Sequence, residues 1–256
     1  MRILILTPYY NRPILVKNFL RSLREADKHH KDWELGILDD GSEIPVKPIV
    51  EEEMSGHMHK ITMDHSGMTF DDKIEHGICL GKHANEHMKK SEADIAIMIH
   101  DDDELYPTYL KDLSEYFTDN PNVLYCHSRI YLYNPLHQSS NEVSNLSNKY
   151  NQFKFPINPV ANVDATQVAW RLSCCKEHGA WFEESTRLIP NMPWVKDTDR
   201  SFFENLYDQC GESQYSGLIA AYKGTHEYQL LWHKKTDEDG LRKYDNMVKD
   251  LAGKVL

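Results

Sequence analysis

The chain has 256 residues, of which 40% are hydrophobic and 27% charged; this allows one large domain or two small ones and argues against a disordered chain. With 29 Lys and Arg against 40 Asp and Glu the net charge is −11, which favours solubility and weighs against diffuse nucleic-acid binding without excluding a local basic patch. No apolar run approaches the roughly 18 residues of a membrane-spanning helix, and Thr7-Pro8 stops the first apolar run short of a signal peptide.

The first segment reads strand, turn, helix. Met1 to Leu6 is apolar and β-branched, Pro8 is expected to end it, and Pro13 suits the first turn of a helix. Leu15, Val16, Phe19, Leu20 and Leu23 then fall at helical spacing. A second strand, Trp33 to Leu38, is stopped by Asp39-Asp40-Gly41-Ser42. A helix around Gly81 to Ser91 precedes a third buried strand, Ile95 to Ile99, cut off by Asp101-Asp102-Asp103. Strands that alternate with helices and stop at polar loops predict a parallel α/β sheet.

Past Pro107 an amphipathic helix carries Tyr109, Leu110, Leu113 and Phe117, and Val123 to Cys126 restarts a strand. Residues 134–162, rich in Asn, Ser and Pro, read as one long mobile loop rather than a domain linker. A short helix is expected at Ser201 to Leu206 and a last one at Leu241 to Leu251. Five cysteines, an odd number with no C-x-x-C pair, fit neither a disulfide framework nor a zinc ribbon and point to a reducing cytoplasm.

The acidic strand ends are the most informative feature. Side chains alternate along an extended segment, so Asp101 and Asp103 are expected to point one way and Asp102 the other. Three adjacent carboxylates repel, so a buried strand ending on them implies a cation or donor there; hard divalent ions take one or two carboxylates together with substrate phosphates. The second strand ends the same way, at Asp39 and Asp40, and in a parallel sheet such ends converge on one crevice where ligands bind. As a solvated turn, either stretch alone would be unremarkable. A third acidic stretch, Asp197-Thr198-Asp199-Arg200, follows Trp194. A carboxylate desolvated by such aromatics can act as general base for an alcohol, or it can simply cap the helix that follows.

Taken together these motifs resemble the family 2 glycosyltransferases of the GT-A fold. The matching stretches are Thr7-Pro8-Tyr9-Tyr10-Asn11-Arg12, Leu38-Asp39-Asp40-Gly41-Ser42, and the Asp101–Asp103 triplet with the Pro107-initiated helix behind it. Gly179-Ala180-Trp181-Phe182-Glu183-Glu184, Lys196-Asp197-Thr198-Asp199 and Tyr222-Lys223-Gly224-Thr225-His226 follow in family order. The resemblance covers about residues 1–226. It implies an α/β, Rossmann-like GT-A domain over residues 1–256: a mixed, mainly parallel central sheet flanked by helices. About residues 1–105 would form the nucleotide-sugar half and 106–256 the acceptor half.

The implied activity is a metal-dependent, inverting transfer of a sugar from a nucleotide-sugar, UDP-linked by preference, to a hydroxyl. The resemblance places Pro8, Tyr10, Arg12, Asp39, Asp40, Lys73, Lys82, Asp101 and Asp102 around the donor nucleotide. It implies Asp103, Asp101 and His226 as ligands of Mn2+ or Mg2+. Asp197 would be the base, with Asp199 as the fallback. Asp164, Gln167, Trp170 and Trp194 would face donor sugar and acceptor. The sequence departs from the family at Lys82-His83-Ala84-Asn85, which keeps the usual Asn without its Arg, so that Lys82 or Lys73 would contact the diphosphate. It departs again at Lys196, where a Glu is usual.

Several other features have plain readings. His83 and His87 lie one helical turn apart, a possible ligand pair without an evident third ligand; among 14 histidines they read more simply as surface groups. Cys174-Cys175 reads as core packing. Lys17, Arg21, Arg24 and Lys28 make a basic stripe on the first helix, which is a solvated face unless it meets a polyanion. The acceptor is accordingly expected to be a soluble glycan, with a hydroxymethylated DNA base of the kind some bacteriophages glycosylate as the alternative. The rival from another class is a non-catalytic nucleotide- or carbohydrate-binding module. Oligomeric state is not legible.

Overall fold

The computed structural model describes residues 1–69, 71–72, 80–133, 151, 153–160, 162–184, 198–224, 246–247 and 250. The expected loop at 134–162 and helix at 241–251 lie largely outside these residues.

Alternation along the first strand decides the architecture. In β1 (Ile3–Tyr9), Ile3 and Ile5 belong to one hydrophobic core while Leu4 and Leu6 belong to a second on the opposite face. The same split recurs in β4 (Ile95–Met98), where Ile95 and Ile97 face the first core and Ala96 and Met98 the other. Side chains two apart share a face, so a continuous apolar run is what a strand covered by helices on both sides requires.

The first core is closed by α1 (Pro13–Asp27) through Val16, Phe19, Leu20 and Leu23. The two later helices α2 (Lys47–Glu53) and α4 (Tyr109–Asp119) add Ile49, Val50, Leu110, Leu113 and Phe117. The second core is closed by α3 (Leu80–Lys90) with Ala84 and Met88. The helix α6 (Thr198–Cys210) adds Phe202, Phe203 and Leu206, and the one-turn α5 (Ser173–Lys176) adds Cys174 and Cys175. Both of those cysteines are buried and, with Cys126 and Cys210, carry free thiols.

β1 pairs in parallel with β2 (Trp33–Asp39) and β4, and β2 in parallel with β3 (Ile61–His65). Beyond β4 the sheet becomes mixed. β7 (Val168–Arg171) runs antiparallel to β4 and to β6 (Tyr125–Tyr133), β6 parallel to β8 (Gln214–Gly224), and β8 antiparallel to the two-residue β5 (Glu104–Leu105). The described residues form one eight-stranded sheet in the order β3-β2-β1-β4-β7-β6-β8-β5, the mixed, mainly parallel sheet expected.

Pro8 does not end β1, which runs on to Tyr9. The last β1–β4 partners are Leu6 and Met98, so Pro8 sits where the strand keeps only β2 as neighbour. A residue without a backbone N–H is tolerated where one side of the ladder has already ended.

Because β7 is antiparallel to β4, the turn leading into β7 (residues 164–167) returns to the edge where β1, β2 and β4 end. The end of β8 arrives there too. Register therefore brings residues 8–12, 39–42, 99–103, 164–167 and 222–224 to one side of the sheet.

Candidate active site

The loop after β4 is a turn, not extended chain: Asp103 N–H donates to His100 C=O at 3.0 Å. This overturns the alternation expected for the triplet. Asp101 and Asp102 face the same partner, Arg12, and Asp103 meets another set, Thr166, Lys223 and Gly224. Arg12 Nε donates to Asp101 Oδ2 at 3.1 Å, a second guanidinium nitrogen donates to Asp101 Oδ1, and Nη1 reaches Asp102 Oδ2 at 3.2 Å. A planar guanidinium can make this forked contact, whereas an ammonium cannot. Burial pushes Asp101 up to about 7, against the pull of Arg12 and with the push of Asp102.

Asp103 is fully buried and its carboxylate is met from three directions. Gly224 N–H donates to Oδ1 at 2.9 Å, the Thr166 hydroxyl donates to Oδ2, and Lys223 Nζ lies 3.5 Å from Oδ2. Lys223 also lies 3.1 Å from Asp164 Oδ1. Burial raises the Asp103 pKa. Asp164, partly exposed, is instead held below its usual value by Lys223, and Lys223 stays charged against burial because of the two carboxylates. A buried ammonium is stable only with such partners.

The turn before β7 delivers Asp164. Its side chain accepts from Thr166 N–H at 3.2 Å, and Gln167 Oε1 accepts from Asp164 N–H at 2.9 Å, a reciprocal capping box. Gln167 Nε2 donates to Ser128 C=O at 2.7 Å. Gln167 is thus wholly buried and holds the turn shut.

Trp170 corrects its expected place. It is 1% exposed, on β7, with its ring 4.8 Å from Phe202 and 6.2 Å from Phe182 between centroids. An indole packed in the second core presents no face to a sugar.

The β1 and β2 ends are bound to each other. Asp39 Oδ1 accepts from Ser42 N–H at 2.9 Å, Asn11 N–H donates to Ser42 Oγ at 3.0 Å, and Ile44 N–H donates to Asn11 Oδ1 at 3.0 Å. Asn11 takes φ +49°, a left-handed conformation that Asn tolerates better than most residues. Gly41 is needed at φ +76°: a Cβ there would lie 2.0 Å from Met68 C=O. Asp39 thereby organises the turn, and Asp40 is buried beside it with its N–H donating to Tyr9 C=O at 3.0 Å. Pro8 and Tyr10 are half-buried on the adjoining strand end.

Lys82 is exposed on α3, and Asp199 stands in the first turn of α6. Lys73, Trp194, Asp197 and His226 lie outside the described residues. Asn85, in the departed family run, is structural. Its amide donates to Phe182 C=O at 2.9 Å and accepts from Phe182 N–H at 3.0 Å, and Gly81 gives the room, since a Cβ there would lie 1.9 Å from Glu183 C=O.

A divalent cation fits this edge. His100, Asp102 and Asp103 each offer a donor atom within 4.8 Å of the others. Around them stand four carboxylates, Asp101, Asp102, Asp103 and Asp164, which Arg12 and Lys223 meet as cations. Carboxylates with one imidazole suit Mn2+ or Mg2+.

Lys223 and Thr166 were not singled out by sequence reasoning. Lys223 had a signal, a cation within Tyr222-Lys223-Gly224-Thr225-His226. Thr166 had none, because its role depends on β7 running antiparallel to β4.

The sheet, its switch from parallel to mixed order and the acidic edge define a GT-A-type transferase fold. The sequence matches the family model described as glycosyl transferase family 2 over residues 4–171, and the chain belongs to that family. Among solved structures, S. aureus TarS 1–349 in complex with UDP-GlcNAc matches with a TM-score of 0.67 at 16% identity, over 97% of this chain and 65% of that one. TarS 1–349 alone gives 0.61 at 16% identity, over 88% and 60%. Mannosyltransferase PcManGT from Pyrobaculum calidifontis in complex with GDP-Man and Mn2+ gives 0.60 at 12% identity, over 99% and 73%. The chain therefore spans less than two thirds of the TarS chains, and at these identities the likeness establishes the fold. No curated protein sequence matches it.

Proposed function

We propose that the protein is a metal-dependent, inverting glycosyltransferase that moves a sugar from a nucleotide-sugar, UDP-linked by preference, to a hydroxyl of a soluble glycan. The observation that carries this reading is the meeting of Arg12, Asp40, the Asp101–Asp103 turn, Asp164 and Lys223 along the carboxyl edge of a sheet belonging to family 2. That TarS binds UDP-GlcNAc and PcManGT binds GDP-Man with Mn2+ supports a nucleotide-sugar donor.

In this reading residues 1–105 hold the donor and the later part of the chain the acceptor. Pro8, Tyr10 and Arg12 line the nucleoside site, Asp40 accepts the base imide N–H, and Asp39 holds the turn that presents Asp40. Asp101 faces ribose or sugar, and Lys82 or Lys73 the diphosphate. His100, Asp102 and Asp103, with His226 as a further candidate, hold the cation. When bound, the divalent ion supplies charge neutralisation on the departing nucleoside diphosphate.

Asp197, with Asp199 in reserve, accepts the acceptor hydroxyl's proton while that oxygen bonds to the anomeric carbon and the carbon–oxygen bond to the diphosphate breaks. Attack opposite the leaving group inverts the anomeric centre. Trp194 and Asp164 border donor sugar and acceptor. Among the described residues no helix is long and apolar enough to cross a membrane. The free thiols of Cys126, Cys174, Cys175 and Cys210 support a reducing cytoplasm.

The test is a panel of nucleotide-sugars with and without Mn2+, read by thermal shift and by release of nucleoside diphosphate. A ligand selective for the native state raises the melting temperature by mass action. The expected result is a Mn2+-dependent rise with a UDP-sugar and nucleoside diphosphate release once a glycan is added. Release of pyrophosphate instead, or donor binding unaffected by Mn2+ with no release on any glycan, overturns it.

A further inference from the structure

A second group of metal-type side chains lies outside the strand-edge site, between edge strand β3 and helix α3. His83, Glu86 and His87 share one face of α3, since residues three and four apart are helical neighbours, and that face meets Asp64 on β3. One donor atom each from Asp64, His83 and Glu86 lies within 4.8 Å of the others. Asp64 Oδ2 is 2.8 Å from His87 Nε2 and 3.9 Å from His83 Nδ1. Both distances from Asp64 are near the roughly 3.3 Å edge of a tetrahedron whose bonds are about 2.0 Å long; His87 lies outside the set of three and joins it through Asp64.

Two local features single the group out from ordinary surface histidines. His83 Nδ1 is buried and has no hydrogen-bond partner among the described residues. His87 Nδ1 lies 3.1 Å from Thr62 Oγ1; when that nitrogen carries the proton and donates to Thr62, Nε2 turns a lone pair toward the Asp64 carboxylate. A cation bonded to both at about 2.0 Å would sit beside the line joining them, whereas a proton on Nε2 would make that nitrogen a donor to Asp64. The main chain leaves room for this imidazole: a Cβ on Gly36 of β2 would lie 2.8 Å from His87 Nδ1. A surface groove of about 560 Å³, lined by Thr62, Asp64, His87 and Lys90 among others, gives solvent access.

We propose that Asp64, His83, Glu86 and His87 form a binding site for a zinc-type divalent cation that ties β3 to α3, separate from the cation at the strand edge. Two imidazoles and two carboxylates select Zn2+ over the oxygen-preferring Mg2+. The Thr62 contact is the outer-shell bond that fixes the ring and the tautomer.

The test is a Zn2+ titration by calorimetry in excess Mg2+, which occupies the oxygen-rich edge, together with visible absorption of the Co2+-loaded protein. The wild type is expected to bind one equivalent of Zn2+, with the intense visible bands of four-coordinate Co2+. His83→Gln and His87→Gln should each weaken binding at least roughly ten-fold and remove the bands. Asp102→Asn should leave both readouts unchanged. His83→Gln removes a nitrogen with no hydrogen bond to lose, so it keeps the proposal testable should His87→Gln not fold. Wild-type protein that takes up no Zn2+, or His83→Gln protein with wild-type affinity, overturns the site. Binding lost in Asp102→Asn but kept in the histidine variants assigns the metal to the strand edge and overturns it equally.

Discussion

Lys223 is buried and bridges Asp103, which is closed to water, and Asp164, which is partly exposed. Truncating one partner of a buried ion cluster leaves the others charged and unpaired, which costs about 3–5 kcal/mol. Lys223→Met should therefore lower unfolding free energy by roughly that amount, read by urea denaturation. A loss below about 1 kcal/mol, the scale of an exposed pair, would mean that water reaches both carboxylates. Sequence could flag Asp103, because an acidic triplet after an apolar strand needs a partner. It could not name the partner, which arrives from residue 223 on a strand that sequence reasoning did not anticipate. Arg12 was legible as a site residue through its position after Thr7-Pro8-Tyr9-Tyr10. That it grips Asp101 and Asp102 together follows from the turn at residues 100–103, which reverses the alternation an extended chain would have.

Among the elements, those with strong periodicity were legible and those defined by their neighbours were not. α1 could be read from Leu15, Val16, Phe19, Leu20 and Leu23, and β4 from its unbroken apolar run. β8 escaped because Gln214-Tyr215-Ser216-Gly217 is no strand signature; it is held by pairing with β6 on one side and β5 on the other. The short α2 and the residue 55–60 turn also escaped, and a single carboxylate shows what seats that turn. Asp27, at the end of α1, accepts hydrogen bonds from Trp33 Nε1 at 2.9 Å and from Lys31, and lies 3.2 Å from His57 Nε2 of the turn. Burial pushes Asp27 up, but the bonds from Lys31, Trp33 and His57 outweigh it and bring the pKa to about 2, below the usual 3.8. The folded value is the depressed one, so its stabilisation is complete above pH 3.8 and fades as pH falls through 2. Asp27→Asn should cost about 2 kcal/mol at neutral pH and flatten the loss of stability between those limits. Urea denaturation at a series of pH values checks this; an unchanged acid limb would mean that Asp27 is equally ionisable in the unfolded chain.

At the scale of the whole molecule the charge distribution bears on the acceptor. The basic stripe on α1, the feature that favoured a DNA acceptor, is taken up by acidic partners: Lys17 pairs with Glu52, Arg21 and Arg24 with Glu53, and Lys28 with Glu25. Glu53 is buried between its two arginines, so the stripe helps join α1 to α2. Sequence could show the four cations at helical spacing but not that α2 would bring carboxylates against them. A phosphate backbone would have to displace those pairs and approach a protein of net charge −11. Affinity for duplex DNA comes largely from counterion release, and the logarithm of the binding constant falls with log salt by about 0.9 per phosphate neutralised. A salt titration of binding to hydroxymethylated duplex should therefore show either no measurable association or a slope near zero. A slope steeper than about −3, equivalent to three or more phosphates neutralised, would show that the glutamates are displaced. It would move the acceptor from a glycan to a DNA base, which would have to be flipped out of the helix to reach the carboxyl edge of the sheet.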